Sequence, residues 1–101
     1  MPSGLWGKAD LAAGVDTQIG DPVPAGKVAT LNIRFCNRST AAVKYRVAIG
    51  TGGAPAAADY ITYDKEIVED TAIVLSSGEK IWVRSDLANV SVRVHGFEEA
   101  V

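Results

Sequence analysis

The sequence predicts an all-β domain: an antiparallel β-sandwich, jelly-roll-like, of about eight short strands. Three observations predict it. Long runs alternate apolar and polar residues with a period of two. Turn residues punctuate those runs at close spacing. No window sustains the 3.6-residue periodicity of a helix longer than a single turn.

The alternation is clearest in three runs. In Val28–Cys36, Ala29, Leu31, Ile33 and Phe35 fall on one face, and Thr30, Asn32 and Arg34 on the other. In Ala42–Ile49, Val43, Tyr45, Val47 and Ile49 oppose Lys44 and Arg46. In Val90–Phe97, Val90, Val92 and Val94 oppose Ser91, Arg93 and His95. Successive side chains of a strand point to opposite sides of the sheet, so each run has one dry face and one wet face. Shorter strands are expected at Gly7–Ala12, Val15–Ile19, Tyr60–Glu66, Thr71–Leu75 and Lys80–Ser85. In the last of these, Ile81 and Val83 face inward while Lys80, Trp82 and Arg84 face outward.

Between the runs, Pro24-Ala25-Gly26-Lys27 reads as a turn in which proline presets φ and glycine takes a positive φ. Asn37-Arg38-Ser39-Thr40, Ser76-Ser77-Gly78-Glu79 and Asp86-Leu87-Ala88-Asn89 do similar work. The turns beginning at Pro24 and Ser76 resemble one another, a likeness short enough to arise by chance. The long irregular stretch Gly50–Asp59 carries too much glycine and proline for an ordinary strand, although Ala56–Asp59 can close one helical turn. Residues 1–7 read as an N-terminal arm, and 8–101 as a single sandwich domain.

Composition bounds the function. Of 101 residues, 48% are apolar and 22% charged, which is globular composition. The net charge of −2 gives no strong pull toward nucleic acid or an anionic membrane, and neither is expected as a partner. Cys36 is the sole cysteine, so no intrachain disulfide can form and the fold must be held by packing. The start of the sequence has neither the basic residues nor the apolar run of a secretory signal, and synthesis in a reducing cytoplasm is the expectation.

A search for chemistry finds no converging groups, and the chain is expected not to be an enzyme and to need no cofactor or metal. His95, the single histidine, has no Cys or His partner at metal-ligand spacing and reads as a surface residue. Cys36 would need a base to act as a nucleophile, and only His95 is available. Asp59, Asp64, Glu66, Glu69 and Asp70 form an acidic stretch without the turn glycine of a calcium loop; it reads as a solvated face or as a contact for a basic neighbour. Arg34, Lys44, Arg46, Lys80, Arg84 and Arg93 fall on outward faces of several strands and read as scattered solubilising charge. Gly50-Thr51-Gly52-Gly53 lacks the lysine and the helix of a phosphate loop.

Two tryptophans are the most telling residues. By alternation Trp82 points away from the core, where it is either covered by the chain's own N-terminal segment or left as an interface. Trp6, near the terminus, docks on its own domain or on a neighbour. The interface residues expected from sequence are therefore Trp6, Trp82, Arg84, Asp64, Glu66, Glu69 and Asp70.

Several stretches carry a likeness that spans nearly the whole chain. They are Gly7-Lys8-Ala9-Asp10-Leu11, the run from Val23-Pro24-Ala25-Gly26-Lys27 to Ile33, and Cys36-Asn37-Arg38. Asp59-Tyr60-Ile61, Ser77-Gly78-Glu79-Lys80 and the run from Val90-Ser91-Val92-Arg93 to Glu99 continue it. In these the chain resembles small β-sandwich virion proteins of tailed bacteriophages. The resemblance implies a non-enzymatic structural role in the particle, on the capsid as a decoration protein or in a tail, collar or fibre. It implies other virion proteins as partners, repeated copies forming homo-oligomers, and no transferable functional residues. The alternative expectation is a carbohydrate-binding or host-adhesion module in which Trp82, flanked by Arg84 and Lys80, forms a platform for a glycan.

Overall fold

The computed structural model describes residues 4–66 and 73–100. Eight strands run in the order β1 (Gly4–Leu11), β2 (Thr17–Ile19), β3 (Lys27–Asn37), β4 (Tyr45–Gly50), β5 (Tyr60–Lys65), β6 (Ile73–Leu75), β7 (Lys80–Ser85) and β8 (Val90–Ala100). Among the described residues the one helical piece is a 3-10 turn at Ala57–Asp59, where a single turn was expected. They form two four-stranded sheets, ordered β1-β8-β3-β6 and β2-β7-β4-β5, in which every paired strand is antiparallel.

That order has a simple logic. β1 pairs with β8, β2 with β7, β3 with β6 and β4 with β5. The chain is one long hairpin, folded at β4–β5 and rolled so that successive strand pairs fall alternately in the two sheets. This is the jelly-roll arrangement of eight strands.

The inward residues of the two sheets make one core. From the first sheet come Leu11, Ala29, Leu31, Ile33, Leu75, Val90, Val92 and Val94. From the second come Ile19, Tyr45, Val47, Ile81 and Val83, with Val23 and Val43 entering from the connections. Phe35 of β3 meets Tyr45 of β4 across the core, with ring centroids 4.4 Å apart. Burial also raises the pKa of the Tyr45 phenol, because the ionised form is disfavoured away from water.

The two look-alike turns hold each other. Lys27 N–H donates to the Pro24 carbonyl at 3.2 Å, Glu79 N–H donates to the Ser76 carbonyl at 3.0 Å, and Gly26 takes the positive φ (76°) its turn requires. The turns then bond to one another: Gly78 N–H to the Val23 carbonyl at 2.8 Å, Val23 N–H to the Glu79 carbonyl at 3.0 Å, and the Ser77 hydroxyl to the Lys27 carbonyl at 2.6 Å. Their common shape lets them lie side by side at one end of the sandwich.

One expectation is corrected and one pair of alternatives is decided. β1 begins at Gly4, so residues 4–6 are strand where an arm was expected. Trp6 is a core residue, only 4% exposed. The cause is a β-bulge: Leu5 pairs with His95 and Gly7 with the adjacent Val94, so Trp6 is the extra residue of its strand. The bulge turns Trp6 inward and Leu5 outward. Gly20 makes room for it, since a Cβ at that position would sit 2.5 Å from the indole Cδ1. Gly20 also holds a φ of 74°, which side-chain-bearing residues rarely adopt.

Trp82 does lie on the outer side of β7, as alternation requires, but it too is only 4% exposed and offers no open platform. Ala48 and Gln18 stand beside it in the ladder. Lys80 carries its ammonium 5.8 Å from the ring centroid and on to the Gly52 carbonyl at 2.9 Å, drawing the connection after β4 toward that face.

Candidate functional site

The outer faces of the two sheets treat like charges in opposite ways, and the difference picks out one of them. On the second sheet Arg46 of β4 lies directly opposite Arg84 of β7. Each has its own acid. Arg46 bonds Asp64 through two nitrogens, Nε to Oδ1 at 2.7 Å and a terminal nitrogen to Oδ2 at 3.2 Å. Arg84 reaches Asp16 at 3.9 Å. The sequence builds the first pair with another bulge. Tyr45 pairs with Lys65 and Val47 with Thr62, so both Tyr63 and Asp64 fall opposite the single residue Arg46. Asp64 accepts a φ of 53° there, a conformation Asp tolerates better than most residues. Tyr63 stacks on the guanidinium, whose carbon lies 4.0 Å from the ring centroid, and Tyr60 meets Tyr63 edge-on at 5.1 Å. The hydrogen bond from Arg46 lowers the pKa of Asp64 and raises that of Arg46. This cluster is closed upon itself.

On the first sheet the balance is missing. Lys8 of β1 lies opposite Arg93 of β8, and Arg93 lies opposite Arg34 of β3. Three cations thus share one row across three neighbouring strands, all exposed. None of the three has an ion pair among the described residues, where the four side-chain pairs are Lys27–Glu98, Arg38–Asp10, Arg46–Asp64 and Arg84–Asp16. Asp10, two residues from Lys8 on the same face, is engaged by Arg38. A shallow open depression of about 450 Å³, lined by Lys8, Ala9, Asp10, Ser91, Val92 and Arg93, runs between β1 and β8 beside the row.

The rows to the other side are polar and then apolar. Leu5, His95 and Asn32 form the next row, and Phe97, Thr30 and Val74 the one after. Leu5 is 37% exposed, Phe97 42% and Val74 61%. The face therefore grades from three aligned cations, through His95 and Asn32, to exposed apolar side chains.

The residues expected at an interface do not gather on this face. Trp6 is in the core and Trp82 is covered. Arg84 and Asp64 are on the second sheet, each held by an ion pair. Glu66 is exposed just after β5, and Glu69 and Asp70 lie outside the described residues. From the sequence, Arg34 and Arg93 read as scattered charge, and Lys8 belongs to no charge pattern. Their alternation was visible, but which strands are neighbours was not, and the register that aligns them spans 59 residues from Arg34 to Arg93 and 85 from Lys8 to Arg93.

Cys36 and His95 share this outer face but do not meet. Cys36 pairs with Ser91 and His95 with Asn32, four residues apart along the ladder. At a rise of about 3.4 Å per residue their backbones are roughly 13 Å apart. That is too far for a histidine to take a proton from the thiol directly. Among the described residues no three His, Cys, Asp or Glu side chains converge on a point where a metal ion could sit.

Comparison with known proteins yields no matching family, no matching curated protein and no matching solved structure.

Proposed function

We propose that this chain is a non-enzymatic structural protein of a bacteriophage particle, joined to its neighbours by the outer face of the β1-β8-β3-β6 sheet. The observation that carries the reading is the row Lys8–Arg93–Arg34. Like charges placed directly across a ladder cost stability, and the second sheet of this same molecule answers that cost with Asp64 and Asp16. A face that aligns three cations with no ion pair among the described residues and sets exposed Phe97, Val74 and Leu5 beside them has the mixture of charged and apolar residues that a protein partner covers.

Two further points support the virion assignment. The sequence resemblance to small phage virion proteins spans nearly the whole chain, and the jelly roll is a recurrent architecture of viral structural domains. Fold alone never assigns function, so the weight rests on the face. The carbohydrate-binding alternative loses the platform expected for it, since Trp82 is only 4% exposed.

The test is compositional. Particles are purified from the genome that encodes the chain, and their proteins are quantified by mass spectrometry. The reading expects this chain in fixed stoichiometry with the major structural proteins. Its absence from intact particles contradicts the reading.

A further inference from the structure

We infer that two copies of this chain pair edge to edge through β1, antiparallel about a two-fold axis at Ala9, so that their β1-β8-β3-β6 sheets become one. The inference goes beyond the virion reading and does not depend on it. A strand at a sheet edge offers its unpaired N–H and C=O groups to another strand. The four edges of this sandwich are unequal as templates. β2 and β6 are only three residues each. β5 is broken by two register shifts, and such bulges twist an edge away from pairing. β1 is eight residues long, and beyond the bulge at Trp6 its register with β8 is unbroken from Gly7 to Leu11. Among the described residues β8 is its only strand partner, and no other backbone hydrogen bond reaches it.

The charges on β1 select the occupant. Lys8 and Asp10 stand on the outer face on either side of Ala9, and both are exposed. Directly opposed side chains of an antiparallel pair share a face, so a two-fold pairing sets one residue opposite its own copy. Centring on Lys8 opposes lysine to lysine, and centring on Asp10 opposes aspartate to aspartate. Centring on Gly7 brings the bulge at Trp6 into the ladder, and centring on Leu11 runs past the end of the strand. Centring on Ala9 sets each Lys8 opposite the Asp10 of the other copy, twice by symmetry. On the inner side it lays Ala9 against Ala9 and Leu11 against Gly7, with no charge. Arg38 already bonds Asp10, but it comes from the end of β3 beyond β8 and takes only Oδ1, leaving the Asp10 side chain 72% exposed. A lone lysine on an edge discourages pairing in general; Lys8 followed by Asp10 admits one register of one partner.

The test is sedimentation equilibrium of the purified full chain. The wild type is expected to form a dimer and nothing larger, since one pairing uses up the edge. Lys8→Asp sets acid against acid and Asp10→Lys sets lysine against lysine, so each variant alone is expected to dimerise at least tenfold more weakly at about 50 mM salt. Mixed in equal amounts, they set the acids of one against the lysines of the other, and a heterodimer is expected. Thermal melts establish that both variants are folded. Amide hydrogen exchange of the wild type needs no variant: protection at alternate residues of 7–11 is expected to rise with protein concentration. A wild type that stays monomeric up to about 1 mM, where even a weak contact is populated, overturns the inference. Variants that dimerise like the wild type, folded variants that fail to pair when mixed, or a dimer whose exchange along 7–11 ignores concentration overturn it too. None of these outcomes touches the virion reading, which stands or falls on particle composition.

Discussion

Arg34 and Arg93 stand directly opposite one another across the β3–β8 ladder, with Lys8 opposite Arg93 on the far side. The pair Arg46 and Arg84 has the same cross-strand geometry in the other sheet, yet each of those arginines has an acid of its own. The two sheets thus share one cross-strand geometry and differ in whether an acid among the described residues answers it.

Arg93 sits between two like charges, so removing it relieves both repulsions. Arg93→Thr keeps a β-branched strand residue and is expected to stabilise the isolated domain by about 0.2–1 kcal/mol. Thermal melting at low salt checks this, with a rise of up to several degrees for a domain of this size. The gain is expected to shrink at high salt, where the repulsion is already screened. A lower melting temperature at both salt concentrations contradicts the assignment of the row as strained.

Trp6 fills the end of the core against Gly20. Trp6→Ala is expected to cost about 3–5 kcal/mol, as truncating a buried aromatic generally does. Gly20→Ala is expected to destabilise as well, because its new Cβ meets the indole and its φ is unfavourable for alanine. Trp6→Phe is expected to be far milder, since the buried indole N–H has no hydrogen-bond partner among the described residues. Urea titration of the three variants gives the ranking.

Both tryptophans are shielded in the isolated chain. Acrylamide is therefore expected to quench the native fluorescence weakly and that of the urea-unfolded chain strongly. Native quenching as efficient as in the unfolded chain contradicts the burial of Trp82, and reopens its use as a glycan platform.

Asp64 titrates below its ordinary value of 3.8 because Arg46 hydrogen-bonds its ionised form. A carboxyl whose folded pKa is depressed contributes stability above its unfolded pKa, and that contribution is lost as pH falls through the folded value. The Arg46–Asp64 contribution is therefore present at pH 6 and fades below about pH 4. Asp64 is exposed, so water and salt screen the effect and the difference is modest. Melting curves of wild type and Asp64→Asn are expected to differ at pH 6 and to converge near pH 2.5. Asn also tolerates the positive φ, which keeps the comparison on the charge.

The fold was legible where the period-two pattern is unbroken. Lys80–Ser85 coincides with β7, and the long runs at 28–36 and 90–97 fall within β3 and β8. β4 begins at Tyr45, three residues after the expected start, because 42–44 carry the chain toward the sheet without pairing in it. The bulges were not legible. A one-residue insertion in a strand reverses every side chain beyond it, and nothing in the residues around Trp6 announces that reversal. The burial of Trp82 was hidden for a different reason: alternation reports which side of a sheet a residue is on, not whether it is exposed there. The candidate face was hidden for a third. Lys8, Arg34 and Arg93 become one row only when strands distant in sequence are laid side by side, which local pattern does not specify.

The most direct measurement is a cryo-electron microscopy map of the assembled particle, at a resolution that places this domain and its orientation. The account predicts that the outer face of β1, β8 and β3 is covered, with side chains of a neighbouring protein against Lys8, Arg93, Arg34, Phe97 and Val74. A map in which that face is open to solvent, while the outer face of the β2-β7-β4-β5 sheet makes the contact, contradicts it.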